Sequence, residues 1–186
     1  MRLLRKLTIG LGLAAGLAVS AWQGLLALDR AYAPPLGAPP AVSREVVDRH
    51  GALLRAFAAP DGRWRLRVDL DTIDPALIEM LVTYEDRRFW DHHGVDPLAV
   101  LRAAGQLITH GRIVSGGSTI TMQLARLLEP REERSMGAKL KQVLRALQIE
   151  RRLSKRDILE RYLTLAPYGG NLEGIRSASL AWFGRE

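Results

Sequence analysis

Between residues 85 and 96 the chain reads Glu85-Asp86-Arg87-Arg88-Phe89-Trp90-Asp91-His92-His93-Gly94-Val95-Asp96. These twelve residues hold four carboxylates, two histidines, two arginines, two large aromatics and a glycine. Folding alone does not ask for that mixture. Ionisable groups held against apolar rings shift in pKa, and such shifts suit proton transfer. A lone glutamate at a helix end is ordinarily solvated surface, but these neighbours make Glu85 the candidate catalytic group. His92, His93 and His110 match no zinc spacing, and adjacent histidines point in different directions on any regular element. No metal site is read here; a histidine that orients a carboxylate or a loop fits better.

A second cluster is Ser115-Gly116-Gly117-Ser118-Thr119-Ile120-Thr121-Met122-Gln123-Leu124-Ala125-Arg126. The paired glycines permit unusual backbone angles, and Ser118 is read as the cap of the helix that follows. Ile120, Leu124, Leu127 and Leu128 form its buried face, leaving Thr119, Gln123 and Arg126 as a polar stripe at i, i+4 and i+7. A hydroxyl, an amide and a guanidinium beside free N–H groups at a helix N-terminus suit a phosphate or pyrophosphate. The stretch lacks the Gly-Lys-Ser/Thr of a Walker loop. From Arg126 to Arg156 ten Lys/Arg face four Glu. Lys139 and Gln142 share one helix face there, at i and i+3.

These groups need elements to carry them. Asp74-Pro75 starts a helix, with Asp as cap and Pro in the first turn. Leu77, Ile78, Leu81 and Val82 are its buried stripe, and Glu85 lies at its end, on a rigid packed element. Asp96-Pro97 caps a second helix ending near His110-Gly111. Met136 to Leu153 is a further helical run, with Leu140, Val143, Leu144 and Leu147 inside. Ser154 caps a helix over Lys155 to Ala166, with Ile158, Leu159, Tyr162 and Leu163 inward. Pro167 and Gly169-Gly170 stop it, and Ile175 to Phe183 is helical again. Upstream, two strand-like runs, about Val46 to Phe57 and Arg63 to Val68, flank Asp61-Gly62, a hairpin signal. In the second run Trp64, Leu66 and Val68 alternate with Arg63, Arg65 and Arg67, giving one apolar and one basic face.

Met1 to Lys6 carries three positive charges, and Leu7 to Leu28 carries no charge at all. Twenty-two residues at 1.5 Å rise reach about 33 Å, enough for a hydrocarbon core of about 30 Å. The basic flank stays in the cytoplasm and the rest is exported. Ala31-Tyr32-Ala33 resembles a signal cleavage site, but the apolar run is longer than a signal core and favours an anchor. Four prolines between Ala33 and Pro40 form a stiff spacer. The whole chain has 186 residues, a net charge of +7 and no cysteine. That excludes disulfides and thiol chemistry, and it points to an anionic partner. The basic residues interleave with aliphatics and match no nucleic-acid module. Behind an anchor, an anionic lipid-linked substrate fits better than nucleic acid.

Three motifs in order resemble glycosyltransferase family 51, the peptidoglycan polymerases of class A penicillin-binding proteins and monofunctional transglycosylases. They are Glu85-Asp86-x-x-Phe89-x-x-His92-x-Gly94-x-Asp96, Gly117-Ser118-Thr119-Ile120-Thr121-x-Gln123-Leu124, and Glu150-x-x-x-Ser154-Lys155-x-x-Ile158-Leu159-Glu160-x-Tyr162-Leu163. The resemblance covers about Pro75 to Glu186. The Val46–Val68 region, Met122 in place of a common Gln, and Ala166-Pro167-Tyr168-Gly169-Gly170 are similar to the penicillin-binding protein 1C branch.

The resemblance implies a mainly α, lysozyme-like lobe with a small β-hairpin element behind an N-terminal transmembrane helix. The expected organisation is a basic cytoplasmic tail (1–6), a transmembrane signal anchor (7–28), a Pro-rich spacer (29–42), a small β element (43–70) and the glycosyltransferase domain (71–186), truncated at its C-terminal end. The implied substrate is lipid II, with the growing glycan strand as the other reactant. The GlcNAc 4-hydroxyl attacks C1 of the donor MurNAc with inversion and expels undecaprenyl pyrophosphate. Glu85 matches the family's catalytic base. Ser118, Thr119, Gln123, Arg126 and Lys139 match substrate-site positions, with Asp86, Phe89 and His92 shaping the cleft. Gln142 stands where the family usually has a second glutamate, which puts any acid or metal role at that position in doubt. Arg126 replaces a usual Lys. No cofactor is firmly implied, and a divalent cation at the pyrophosphate is left open. The implied place is the bacterial cytoplasmic membrane, single-pass, with the domain on the outer side and other cell-wall synthesis proteins as partners. The alternative reading is a truncated, non-catalytic scaffold that binds lipid II or partner enzymes.

Overall fold

The structure is a computed structural model. It describes residues 16–17, 19–20, 22–24, 26–27, 29–36, 40–110, 117–130 and 135–185. The expected tail, most of the expected anchor, and Ser115, Gly116 and Gly111 lie outside the described residues. Among the described residues no helix is long and apolar enough to cross a membrane. The chain divides into two units, 1–34 and 35–186. In the first, the described residues from 16 to 31 are helical.

The second unit is mostly helical. It opens with an antiparallel hairpin, β1 (Arg44–Val47) and β2 (Leu53–Phe57), pairing Arg44 with Phe57 and bulged at Val46/Val47. The turn between them is built by Asp48, whose carboxylate accepts from the N–H groups of His50 at 2.7 Å and Ala52 at 2.9 Å. Gly51 supplies the positive φ of 86°. The hairpin therefore closes at His50-Gly51, inside what sequence reads as one interrupted strand. The Asp61-Gly62 turn forms, with the Ala59 N–H donating to the Arg63 carbonyl at 2.8 Å, but it joins no strand pair. The short strand beyond it, β3 (Trp64–Arg65), runs parallel to β4 (Leu172–Glu173) instead.

Arg65 accounts for that choice. Its Nε donates to Glu173 Oε2 at 2.6 Å, and a second nitrogen reaches Asp61 at 3.0 Å. The Arg65 side chain is buried while Arg63 and Arg67 stay exposed, so the alternation identifies the apolar face (Leu66, Val68) and two of its three arginines on the solvent side, with Arg65 drawn inward. Past β3 the backbone binds side chains rather than a sheet. The N–H of Leu66 donates to Ser177 Oγ, that of Val68 to Thr164 Oγ1 and that of Leu70 to Glu160 Oε1, at 2.9, 3.2 and 3.3 Å.

Among the described residues six helices follow: α1 (Pro75–Asp86), α2 (Pro97–His110), α3 (Ile120–Leu128), α4 (Met136–Glu150), α5 (Lys155–Leu165) and, after β4, α6 (Ile175–Phe183). Their starts obey capping chemistry. Asp74 accepts from Ala76 N–H at 2.9 Å, Asp96 from Leu98 and Ala99 N–H, and Ser154 forms a reciprocal capping box with Asp157. The core lies where α3, α4 and α5 meet. Ile120, Leu124, Ile149, Ile158, Leu159 and Leu163 are buried there with Val82 and Phe89.

Helix α4 presents a different face from the expected one. Leu140, Leu144 and Leu147 are exposed, whereas Arg145, Ala146, Gln148 and Ile149 are buried. The small Ala146 lets Gly94 lie against the helix backbone, and a Cβ at Gly94 would meet the Ala146 carbonyl oxygen at 2.8 Å. Arg145 tolerates burial because Glu129 and Gln148 accept its N–H groups at 2.7 and 2.9 Å.

Candidate functional site

Glu85 and Asp86 are the last two residues of α1, and about 100° of helical rotation sends them to different faces. Asp86 turns inward. Its Oδ2 accepts from the Ile120 N–H at 2.9 Å and from His92 Nε2 at 2.9 Å. His92 Nδ1 accepts from the Gly94 N–H at 3.1 Å, which leaves its proton on Nε2, facing Asp86. Thr119 completes the joint: its hydroxyl donates to the Gly94 carbonyl at 2.6 Å and accepts from the Met122 N–H at 3.1 Å.

Two expectations are corrected here. Thr119, one residue later than Ser118, is the N-cap of α3. The N-terminus of α3 is also not open to an outside anion, because Asp86 already occupies the Ile120 N–H and Thr119 Oγ the Met122 N–H. Asp86, Phe89, His92 and Thr119 are all buried, so they build the floor of the region rather than its lining. Phe89 is capped by the Lys155 ammonium, 4.5 Å from its ring centroid. Lys155 is paired in turn with Glu150 at 2.7 Å, which also accepts from Thr121 at 2.6 Å.

Glu85 turns the other way and is half-buried. Its Oε2 accepts from Gln123 Nε2 at 2.9 Å, and Gln123 Oε1 accepts from the Tyr162 hydroxyl at 3.2 Å. Burial, together with the nearby Glu85 and Tyr168, pushes the Tyr162 phenol up to about 12. Tyr168 is raised as well, by burial and by Glu85. Sequence places Tyr162 only in the core and gives Tyr168 no site role. The available signal is that a phenol among inward residues requires a hydrogen-bond partner.

Cations stand further along α3. Burial, and after it the nearby Arg126, lowers the pKa of the Lys139 amine. Lys139 Nζ donates to Ser118 Oγ at 2.6 Å and to Gln142 Oε1 at 3.2 Å. Gln142 Nε2 donates to the Met122 carbonyl at 2.5 Å, tying α4 to α3. Arg126, Lys139, Gln142 and Arg145 line a cleft of about 840 Å³ together with Arg63, a residue of the basic face of the second strand-like run. Arg63 reaches it from the loop before β3 and is paired with Glu173. The structure thus joins Glu85 to Gln123, and Ser118 to Lys139 and Gln142 with Arg126 beside them. Among the described residues no group of three or more His, Asp or Glu is placed to hold a metal ion. A half-buried carboxylate held by an amide can accept a proton, and a cleft lined by cations can stabilise a developing negative charge.

A family model described as Transglycosylase matches residues 50–186. Over 143 residues, 77% of this chain, the sequence is 51% identical to penicillin-binding protein 1C of Escherichia coli, of which it spans 18%. It is 37% identical over 189 residues, 98% of this chain, to penicillin-binding protein 1A of Aquifex aeolicus, of which it spans 25%. It is 35% identical over 144 residues, 77% of this chain, to penicillin-binding protein 1F of Bacillus subtilis, of which it spans 20%.

Proposed function

The chain belongs to the transglycosylase family, and on that premise we propose that it is a peptidoglycan glycosyltransferase, polymerising lipid II into glycan strands. The observation that carries this reading is the placement of Glu85. It is fixed by Gln123 on α3, the helix that carries Arg126 one turn on, close to Lys139.

In this reading the acceptor's GlcNAc 4-hydroxyl gives its proton to Glu85 as its oxygen bonds to C1 of the donor MurNAc. The bond from C1 to the pyrophosphate oxygen breaks on the opposite face, so the anomeric configuration inverts. The electron pair leaves with undecaprenyl pyrophosphate. A positioned base contributes on the order of 10²–10⁴-fold. Arg126 and Lys139 meet the charge that grows on the pyrophosphate, where fixed donors need no reorganisation. Ser118 and Gln142 hold Lys139 in place, and Gln142, which cannot ionise, takes no proton. Arg63 adds a further cation to the same cleft. Asp86, Phe89, His92 and Thr119 serve the reaction by fixing α1 against α3.

The same reading assigns residues 7–28 to a single membrane span, with residues 29–42 as spacer, 43–70 as the β element and 71–186 as the catalytic lobe outside the cytoplasmic membrane. The uncharged run of residues 7–28 behind a basic tail supports this. The test is lipid II polymerisation by this chain in detergent beside Glu85→Gln. Glycan from the parent alone supports the assignment, and equal product from both removes Glu85 as base.

A further inference from the structure

We propose that Tyr162 is a positioning residue for Glu85, acting through the amide of Gln123, and that Glu85 Oε1 is the oxygen that takes the proton. The inference rests on the reading of Glu85 as base.

A primary amide has one donor end and one acceptor end. Gln123 lies between two partners that differ in the same sense: the Tyr162 hydroxyl, 3.2 Å from Oε1, and the Glu85 carboxylate, 2.9 Å from Nε2. Only one orientation satisfies both. A phenol that donates to the carbonyl keeps the NH2 turned to the carboxylate. The reversed amide would aim its carbonyl at a carboxylate, two acceptors facing each other. Glu85 alone also favours the observed orientation, but a single long side chain against a half-open carboxylate has several rotamers to choose from. The phenol removes that freedom.

Tyr162 is built to be the fixed partner. It is 7% exposed, on α5 between the buried Ile158, Leu159 and Leu163, so helix packing sets the position of its hydroxyl. With its pKa pushed up to about 12, mainly by burial, it stays a donor at any pH where the protein works. The consequence falls on Glu85. Oε2 is held by Gln123, while among the described residues no hydrogen bond is made to Oε1. The carboxylate is thereby oriented with one oxygen tethered and the other open to a substrate hydroxyl.

Two readouts test this, and the first needs no turnover. In NMR spectra of the ¹⁵N-labelled full chain, the side-chain amide of Gln123 is assigned by its loss in Gln123→Ala. Tyr162→Phe should move those resonances toward the positions of a solvated amide, as Glu85→Gln should. Resonances left at their parent positions in Tyr162→Phe overturn the proposal. The second readout is steady-state lipid II polymerisation. Tyr162→Phe should lower kcat about threefold to tenfold, the size of one hydrogen bond, with KM within about twofold of the parent. In a Gln123→Ala background the same change should cost nothing further. An unchanged kcat in Tyr162→Phe, or losses that add in the double variant, overturns it. Full activity in Tyr162→Phe beside an inactive Glu85→Gln removes only the positioning role. Full activity in Glu85→Gln removes the base reading itself.

Discussion

Glu85 and Asp86 are neighbours with the same chemistry, and the molecule treats them in opposite ways. Asp86 is sealed into a joint with His92, the Ile120 N–H and, one step on, Thr119 and Gly94. Glu85 faces the amide of Gln123, which the Tyr162 phenol holds in turn, on the helix that also carries Arg126. The inward carboxylate is bonded only to buried groups of the protein itself. The outward one has a tether on one oxygen only. A single helix end thus separates a carboxylate that fixes α1 against α3 from the one proposed to meet a substrate.

The contrast can be broken on either side, and the larger stability effects are expected on the inner one. Asp86→Ala strands the Ile120 N–H and the His92 Nε2–H in the interior, and chemical denaturation should show a loss of about 3–5 kcal/mol. Gly94→Ala should cost about 2–4 kcal/mol in the same assay. Its φ of 94° suits glycine, and the added Cβ would meet the Ala146 carbonyl oxygen.

The outer side yields smaller shifts. The folded pKa of Tyr162 lies above its unfolded value of about 10. Its contribution to stability is therefore complete below pH 10 and is lost as pH rises toward about 12. Tyr162→Phe should flatten the fall of Tm with pH in that window relative to the parent. The mildest effect is at Lys139, whose amine is lowered first by burial and then by Arg126. Arg126→Gln should raise it, and competitive labelling with an amine-reactive reagent near pH 9 should then modify Lys139 more slowly.

Local chemistry was legible in the sequence, and partner choice was not. Asp74-Pro75, Asp96-Pro97 and Ser154 mark helix starts because capping is decided within a few residues. The inward stripe of α5 follows from its period alone. The face of α4 was misread because the aliphatic period of Leu140, Leu144 and Leu147 cannot register that Glu129 and Gln148 make Arg145 easy to bury. The pairing of β3 with β4 spans more than a hundred residues and turns on Arg65 meeting Glu173. In the candidate site, the sequence marks the two clusters but not the side to which each of their residues turns. The period of α3 puts Thr119 on the polar stripe, yet it caps inward, and the period of α5 puts Tyr162 in the core, yet its hydroxyl reaches Gln123. Which way a polar side chain turns at a helix end depends on groups that only the tertiary fold supplies.

The central claim is that Glu85 is the base and Asp86 the anchor. It is tested most directly by measuring lipid II polymerisation and thermal unfolding together for Glu85→Gln and the parent chain. The account predicts a rate lower by about 10²–10⁴-fold with Tm essentially unchanged. Glycan synthesis at the parent rate in Glu85→Gln would contradict it.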